Sequence, residues 1–471
     1  MEQMNTCEPN VNRSISYRQV RRIGLISPCA GNLGNAAIMS AMITNIRERV
    51  AGVEILGITL SPDDTRRRHG IEAFPITGSF HPGYSVCNPE FGKVRSRHFL
   101  QLGRIKEWSR RVPWLRRVLR AVGMCGKELA HIVAAARVVR KLDRVMVTGG
   151  GALDEFWGGP WGHPWTLLKW ALLSRMYRVP FSFVSVGKCS LEHRLSRLFV
   201  RIALRLAEYR SYRDSGSKIA VQALIDARKD RVEPDLAFSY PCPFLTDPGS
   251  CRSPGGGLVV GVSPIAYLDP RSWPLKDGRR FAAYLGQLVE LVKWLIRERH
   301  RVLLFATDNP DVPLIAEIEA MVSNDLDDTD AIELLPGPPG QSTDGLLEGI
   351  SHADLIIASR LHGVILAHLT ATPVLALSYD PKVTVYMDAI GQMRYCLDID
   401  DFSVGRVVER FNALKVARRQ EAARLRTAAL LFRGQLNAQY DRILGARGPH
   451  CVRDSRSPIK SLSWTDNTAT Q

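Results

Sequence analysis

The sequence is short of several things, and each shortage narrows the reading. No apolar run approaches the ~20 residues that a membrane-spanning helix needs. The opening stretch, "MEQMNTCEPNVNRS", lacks a basic region followed by an apolar block, so no secretory signal is expected there. The nine cysteines (Cys7, Cys29, Cys87, Cys125, Cys189, Cys242, Cys251, Cys396 and Cys451) are odd in number and contain no CxxC pair. That argues against a disulfide framework or a thiolate zinc site and for reduced thiols in a cytoplasmic chain. No grouping of residues has metal-ligand spacing, so no metal is expected. Acid is scarce beside base: 47 Asp and Glu against 63 Lys and Arg leave a net charge of +16. Such an excess favours polyanions, anionic membrane surfaces or acidic substrates. No recognised nucleic-acid module accompanies it, so nucleic acid is not expected as a partner.

What is present is an ordinary globular composition, 45% hydrophobic and 23% charged, in 471 residues, too many for one core. Part of the positive excess is local. Arg95 to Arg120, "RSRHFLQLGRIKEWSRRVPWLRRVLR", sets nine basic residues against Glu107 alone, interleaved with Trp108, Trp114, Leu115 and Leu119. Such a segment can lie on an anionic bilayer at the inner face of the cell membrane, or be a solvated helix packing its tryptophans inward.

The rest alternates between short apolar runs and helical stretches, the pattern of a parallel sheet with crossover helices. Ile23–Ser27, Val53–Leu60, Arg144–Gly151, Pro180–Gly187 and Glu208–Asp214 are strand candidates, with a helix over Ala36–Ile46 after the turn "PCAGNLGN". Residues 241–256, rich in Pro, Gly and Ser, read as a linker. A second series follows: Gly257–Pro264, a helix near Phe281–Arg299, Arg301–Asp308 and Ile332–Pro336. The expected organisation is an extension over 1–20, a Rossmann-like domain over 21–240, the linker, and a second Rossmann-like domain over 257–415. A C-terminal helix over 416–444 and a disordered tail over 445–471 complete it. This is an α/β protein of two Rossmann-like domains facing across a cleft.

One stretch carries most of the chemistry. In "DLIIASRLHGVILAHLTATPVLALSYDPK" (354–382), a buried strand runs through a polar turn into a helix from Gly363, and a second strand ends at Asp380–Lys382. Arg360, His362 and Lys382 therefore stand past carboxyl ends of strands, where open α/β sheets bind ligands. Arg360 offers a planar fork for an anion, Lys382 a point charge, and the helix start near Gly363 free N–H groups. The alternatives are a surface ion pair for Arg360, a solvated lysine for Lys382 and a structural role for His362.

"GNLGN" (31–35), "GGGALD" (149–154), "SYRDSGS" (211–217), "PDLAF" (234–238) and the 359–382 stretch come in the order found in polysaccharide pyruvyl transferases, and residues 23–395 resemble that family. The resemblance implies the two-domain GT-B-like fold and transfer of a pyruvyl group from phosphoenolpyruvate to a saccharide or lipid-linked oligosaccharide, with no cofactor. It places a key histidine at His362 and an acid facing the cleft at Asp154, which could otherwise cap a helix; Glu155 competes with it. Arg213, in "YRD", would meet the donor or form a structural pair with Asp214. Asn32, Gly34, Gly150 and Gly151 belong to loops on the acceptor side. Trp157 and Trp161, in "FWGGPWGHPW" (156–165), would stack on a sugar or pack on the core. Two departures stand out: Asn35 where the family usually has Asp, and "VGKCS" (186–190) where it tends to have a "GIGP"-like turn. A nucleotide-sugar glycosyltransferase of the same architecture, or a membrane-associated assembly protein with a degenerate site, are the competing readings.

Overall fold

The structure, a computed structural model, describes residues 20–28, 31–78, 113–155, 158–188, 191–243, 257–273, 275–325, 331–338 and 340–445, and the side chains of 113–122 are not among them. Trp157, most of the expected linker and most of the basic 95–120 stretch therefore lie outside the described residues, as does the tail from 446.

The first sheet is built from β1 (Arg22–Ser27), β2 (Glu54–Thr59), β3 (Glu72–Pro75), β4 (Arg144–Leu153), β5 (Phe181–Lys188), β6 (Tyr209–Tyr212) and β7 (Arg231–Val232). They lie in the order β3-β2-β1-β4-β5-β6-β7, all neighbours parallel. The crossovers are α1 (Leu33–Arg49), α2 (Pro62–His69), α3 (Pro113–Val139), α4 (His163–Met176) and α5 (Arg194–Leu206), with α6 (Ser215–Gln222) after β6. Part of the aromatic "FWGGPWGHPW" stretch is thus helical. His163 begins α4, with proline in its first turn, where the missing N–H costs nothing.

The second sheet repeats the design with β8 (Val259–Ser263), β9 (Arg301–Leu304), β10 (Ile332–Leu334), β11 (Leu355–Ala358), β12 (Val374–Ser378) and β13 (Cys396–Asp398). Their order is β10-β9-β8-β11-β12-β13, again parallel. Its helices are α7 (Gly278–Arg297), α8 (Val312–Ser323), α9 (Thr343–Ser351), α10 (Leu361–Leu369) and α11 (Pro381–Ala389). β11 and β12 are buried along their whole length, which is why both read as unbroken apolar runs.

In each sheet the strand order reverses beside the first strand: between β1 and β4, and between β8 and β11. These are the switch points where a crevice opens at the carboxyl ends. Helix α1 leaves the first and α10 the second, and the two helices pack together across the domain boundary. Leu33 N donates to Thr307 O at 2.9 Å across that boundary, and within the first domain Asn45 Nδ2 donates to Ser239 O at 3.0 Å.

The last helix, α12 (Val404–Leu444), holds 41 residues and begins well before the expected 416–444. Its amino half packs on the second domain, with Phe411 edge-on to Trp294. Its carboxyl half reaches the first: Asp441 pairs with Arg49 at 2.6 Å. Gln439 is joined to Ser185, Ser211 and Tyr209 by bonds of 2.7–3.0 Å. It ends at Gly445, φ 67°, a left-handed stop that favours glycine.

Candidate functional site

The two switch points meet at one contact. Gly34, in the first turn of α1, lies against the ring of His362, in the first turn of α10. A Cβ on Gly34 would fall 2.0 Å from His362 Cγ and 2.2 Å from Nδ1. Only a glycine lets the imidazole and this helix come so close. His362 is half-buried, and its Nε2 is buried without a hydrogen-bond partner. Buried polar atoms are nearly always satisfied, so an unsatisfied one at a strand-end crevice invites a functional explanation.

Charge gathers around that ring. Burial drives the imidazole pKa down to about 4; nearby Asp235 opposes the shift, and Arg213, Lys382 and Arg360 add to it. His362 is therefore neutral at pH 7, a base or acceptor among cations. Arg213 comes from the end of β6 in the first domain. Its guanidinium rests on Gly187, where a Cβ would lie 2.6–2.7 Å from Nε, Cζ and Nη2. It pairs at 3.5 Å with Asp214 and at 3.6 Å with Asp235. Lys382, in the first turn of α11, is half-buried, 3.4 Å from Asp380 and 5.1 Å from the centre of the Tyr379 ring.

Arg360 is placed differently from the sequence expectation of an open anion-binding fork. Its Nε and Nη2 donate to the two oxygens of Asp311, and Nη1 lies 3.2 Å from Asp308. Burial disfavours the cation, but the two carboxylates outweigh it and raise its pKa. Asp308 in turn accepts from Asn32 Nδ2 at 3.0 Å, so Asn32, the N-cap of α1, fastens the first domain to this pair. Asp308 is itself held above the usual carboxylate range by burial, against the pull of Arg360. Arg360 thus braces the loop after β9, and Arg213 and Lys382 are the cations grouped with Arg360 in the field of His362.

The glycine turn of the first domain stands beside the first turn of α1. Gly150 has φ 67°, and a Cβ there would sit 3.0 Å from Asn35 Oδ1; Gly151 lies beside it in β4. Asp154, half-buried, follows the carboxyl end of β4. It caps neither helical segment after it, since Gly158 and Gly162 hold those positions. Its neighbour Glu155 accepts the backbone N–H of His193 at 3.0 Å and so ties this turn to the start of α5. Gly363 packs 3.4 Å (as a Cβ would) from Ala358 Cβ and 3.5 Å from Ser263 Oγ. Trp161 lies elsewhere: its ring neighbours are Trp165 at 5.8 Å and Phe199 at 5.7 Å, on the α4–α5 layer.

Three participants escaped the sequence reading. Asp235 lies in the quoted "PDLAF"; Asp308 ends the strand candidate Arg301–Asp308, and Asp311 comes three residues later. The apolar run ending in acids was the available signal. Among the described residues no cluster of three or more His, Cys, Asp or Glu could hold a metal ion, and no helix is long and apolar enough to cross a membrane.

The polysaccharide pyruvyl transferase family model matches residues 32–381, most of the chain, including Gly34, Arg213, Arg360 and His362 and ending one residue before Lys382. The chain belongs to the polysaccharide pyruvyl transferase family. No curated protein matches it. Among solved structures, the pyruvyl transferase chain is similar to the S. aureus MnaA–UDP complex at 11% identity and TM-score 0.52, over 90% of this chain and 97% of that one. It is also similar to a glycosyltransferase from Rickettsia africae at 10% identity and TM-score 0.52, over 90% and 99%. A UDP-GlcNAc 2-epimerase from Methanocaldococcus jannaschii matches at 11% identity and TM-score 0.50, over 83% and 92%. These likenesses carry the fold: two parallel-sheet α/β domains of GT-B type.

Proposed function

We propose that this pyruvyl transferase uses phosphoenolpyruvate as donor and a sugar of a surface polysaccharide, or its lipid-linked precursor, as acceptor, working in the cytoplasm. The observation that carries the reading is the half-buried, neutral His362 with an unpartnered Nε2, set between Gly34 and the cations Arg213 and Lys382. A donor with a carboxylate and a phosphate needs several positive groups close together. The two cations, with the amino end of α10, supply them from both domains.

The chemistry balances without a redox partner. Two hydroxyl oxygens of the sugar form bonds to C2 of phosphoenolpyruvate, and the C2–O bond to phosphate breaks. One hydroxyl proton ends on the methylene carbon, making the methyl group of the ketal, and the other leaves with inorganic phosphate. Neutral His362 takes a proton from an attacking hydroxyl and, once charged, stabilises or protonates the departing phosphate. Asp154 is the second base, on the acceptor side.

Phosphate release from phosphoenolpyruvate by the purified chain tests this. Release should require an acceptor glycan and fall by about 10²–10⁴ in His362→Ala, the usual weight of acid–base catalysis. Full activity in that variant would overturn the assignment. Thermal stabilisation by a nucleotide sugar, with no response to phosphoenolpyruvate, would point to a glycosyltransferase instead.

A further inference from the structure

Helix α5, "RLSRLFVRIALRL", is the most one-sided helix of the first domain. Ser196, Val200, Ala203 and Leu204 are buried against the sheet, while Arg194, Arg197, Arg201 and Arg205 are all exposed. The helix contains no acidic residue, and among the described residues none of the four arginines is joined to an acid. Four unneutralised cations on one face would by themselves be a solvated surface. Here they are interleaved with apolar side chains that solvation does not explain: Leu195 is 39% and Leu198 46% exposed.

The neighbouring helix extends the same surface. α4 packs along α5, and Phe199 of α5 meets both Trp161 and Trp165 at 5.7 and 5.9 Å. Trp161, in the turn just before α4, is 61% exposed, and Leu172 and Met176 of α4 are exposed as well. On the other side of α5 a groove of about 240 Å³ is lined by Arg194, Arg197, Leu198, Arg201, Ala223 and Leu224. The layer thus has an apolar strip with an indole at its end and a cationic groove beside it. Helices α3, α4 and α5 cover the face of the sheet opposite α1, so the contact between domains leaves this surface uncovered.

From this we infer that the α4–α5 layer is a docking surface for an anionic phospholipid bilayer, with headgroup phosphates in the Arg194–Arg197–Arg201 groove and Trp161, Leu195 and Leu198 in the interfacial region. Charge complementarity selects the occupant. Nucleic acid would use the arginines but gains little from exposed leucines, whereas a basic amphipathic helix with an aromatic at its edge is the form that binds at an anionic lipid interface. The position also serves the reaction proposed above, on which this one clause rests: α5 starts beyond the carboxyl end of β5, on the rim where a lipid-linked acceptor would enter. Glu155 clamps that start to the turn carrying Asp154.

Co-sedimentation of the full chain with vesicles is the test, and its readout is independent of catalysis. The chain should bind vesicles containing phosphatidylglycerol at low salt, leave pure phosphatidylcholine vesicles unbound, and release as salt rises. Arg197→Glu/Arg201→Glu should bind more than about tenfold more weakly, since each cation near the surface counts separately. Leu195→Ser/Leu198→Ser, which keeps every charge, should lose the binding that survives at intermediate salt. All these positions are exposed, so thermal midpoints should match the parent. Equal binding to both vesicle types, or undiminished binding by either double variant, would overturn the inference. So would binding of the parent chain to duplex DNA, abolished by Arg197→Glu/Arg201→Glu, with no binding to phosphatidylglycerol vesicles.

Discussion

Replacing Gly34 by alanine separates the cost of packing from the cost of misplacing the ring proposed above to be catalytic. The added methyl would sit 2.0 Å from His362 Cγ, 2.2 Å from Nδ1 and 2.3 Å from Cβ, against the ~3.5–4.0 Å of an unstrained carbon contact. The obstructing atoms lie near the root of the side chain, so rotation about its outer bonds relieves little. Either the imidazole moves by more than about 1 Å or the α1–α10 contact opens. Overpacking costs about 1–3 kcal/mol, and alanine returns up to about 1 kcal/mol of helix propensity, so the net destabilisation is about 0–2 kcal/mol. That corresponds to a melting shift of a few degrees. A displacement of about 1 Å at a reacting group costs on the order of 100-fold in rate. Gly34→Ala should therefore fold nearly as well as the parent while kcat/KM for phosphate release falls about 100-fold. A variant with the parent's rate, whether stable or destabilised, would refute the claim that Gly34 sets the position of His362.

Two further outcomes follow, one from the same cluster and one from the chain's buried histidines. Arg360→Ala strands Asp311, whose side chain is fully buried; loss of one member of such a pair costs about 3–5 kcal/mol, read by urea unfolding, and Asp308→Asn/Asp311→Asn in the same chain should restore part of it. An Arg360→Ala chain as stable as the parent would remove the bracing role. Stability should also fall with acid. Burial, first among the causes, lowers His69, His163 and His362 to about 4 and His368 to about 3, below the ordinary 6.5. The unfolded chain therefore binds more protons than the folded one between those values. The unfolding free energy should be full above about pH 6.5 and drop as pH falls toward 4, with a slope approaching about four protons. A flat profile between pH 7.5 and 5 would contradict the burial of these rings.

Much of the architecture was legible because burial leaves a local trace. Runs such as "DLIIA" and "PVLALSY" are apolar since β11 and β12 are covered on both faces, and the polar turn after each marks its carboxyl end. His362 could be singled out for that reason, as a titrating residue in such a turn. The start of α12 was less visible, because its first half differs from a loop mainly by what packs on it. The α4–α5 layer shows the same limit: "FWGGPWGHPW" announces aromatics, and only the packing of Phe199 places Trp161 on the outer helices.

The sequence by itself determined two sheets, their connecting helices and the polar strand ends where chemistry collects, since periodicity and turn residues act within a few positions of themselves. Tertiary structure alone decided which of those ends face one another. Gly34 and His362 are far apart in the chain, as are Arg213 and Lys382; they meet because strand order reverses beside β1 and β8 and the two reversals pack together. The same packing gave Arg360 to Asp308 and Asp311. Long-range Coulomb partners are set by that geometry, and no local pattern encodes it.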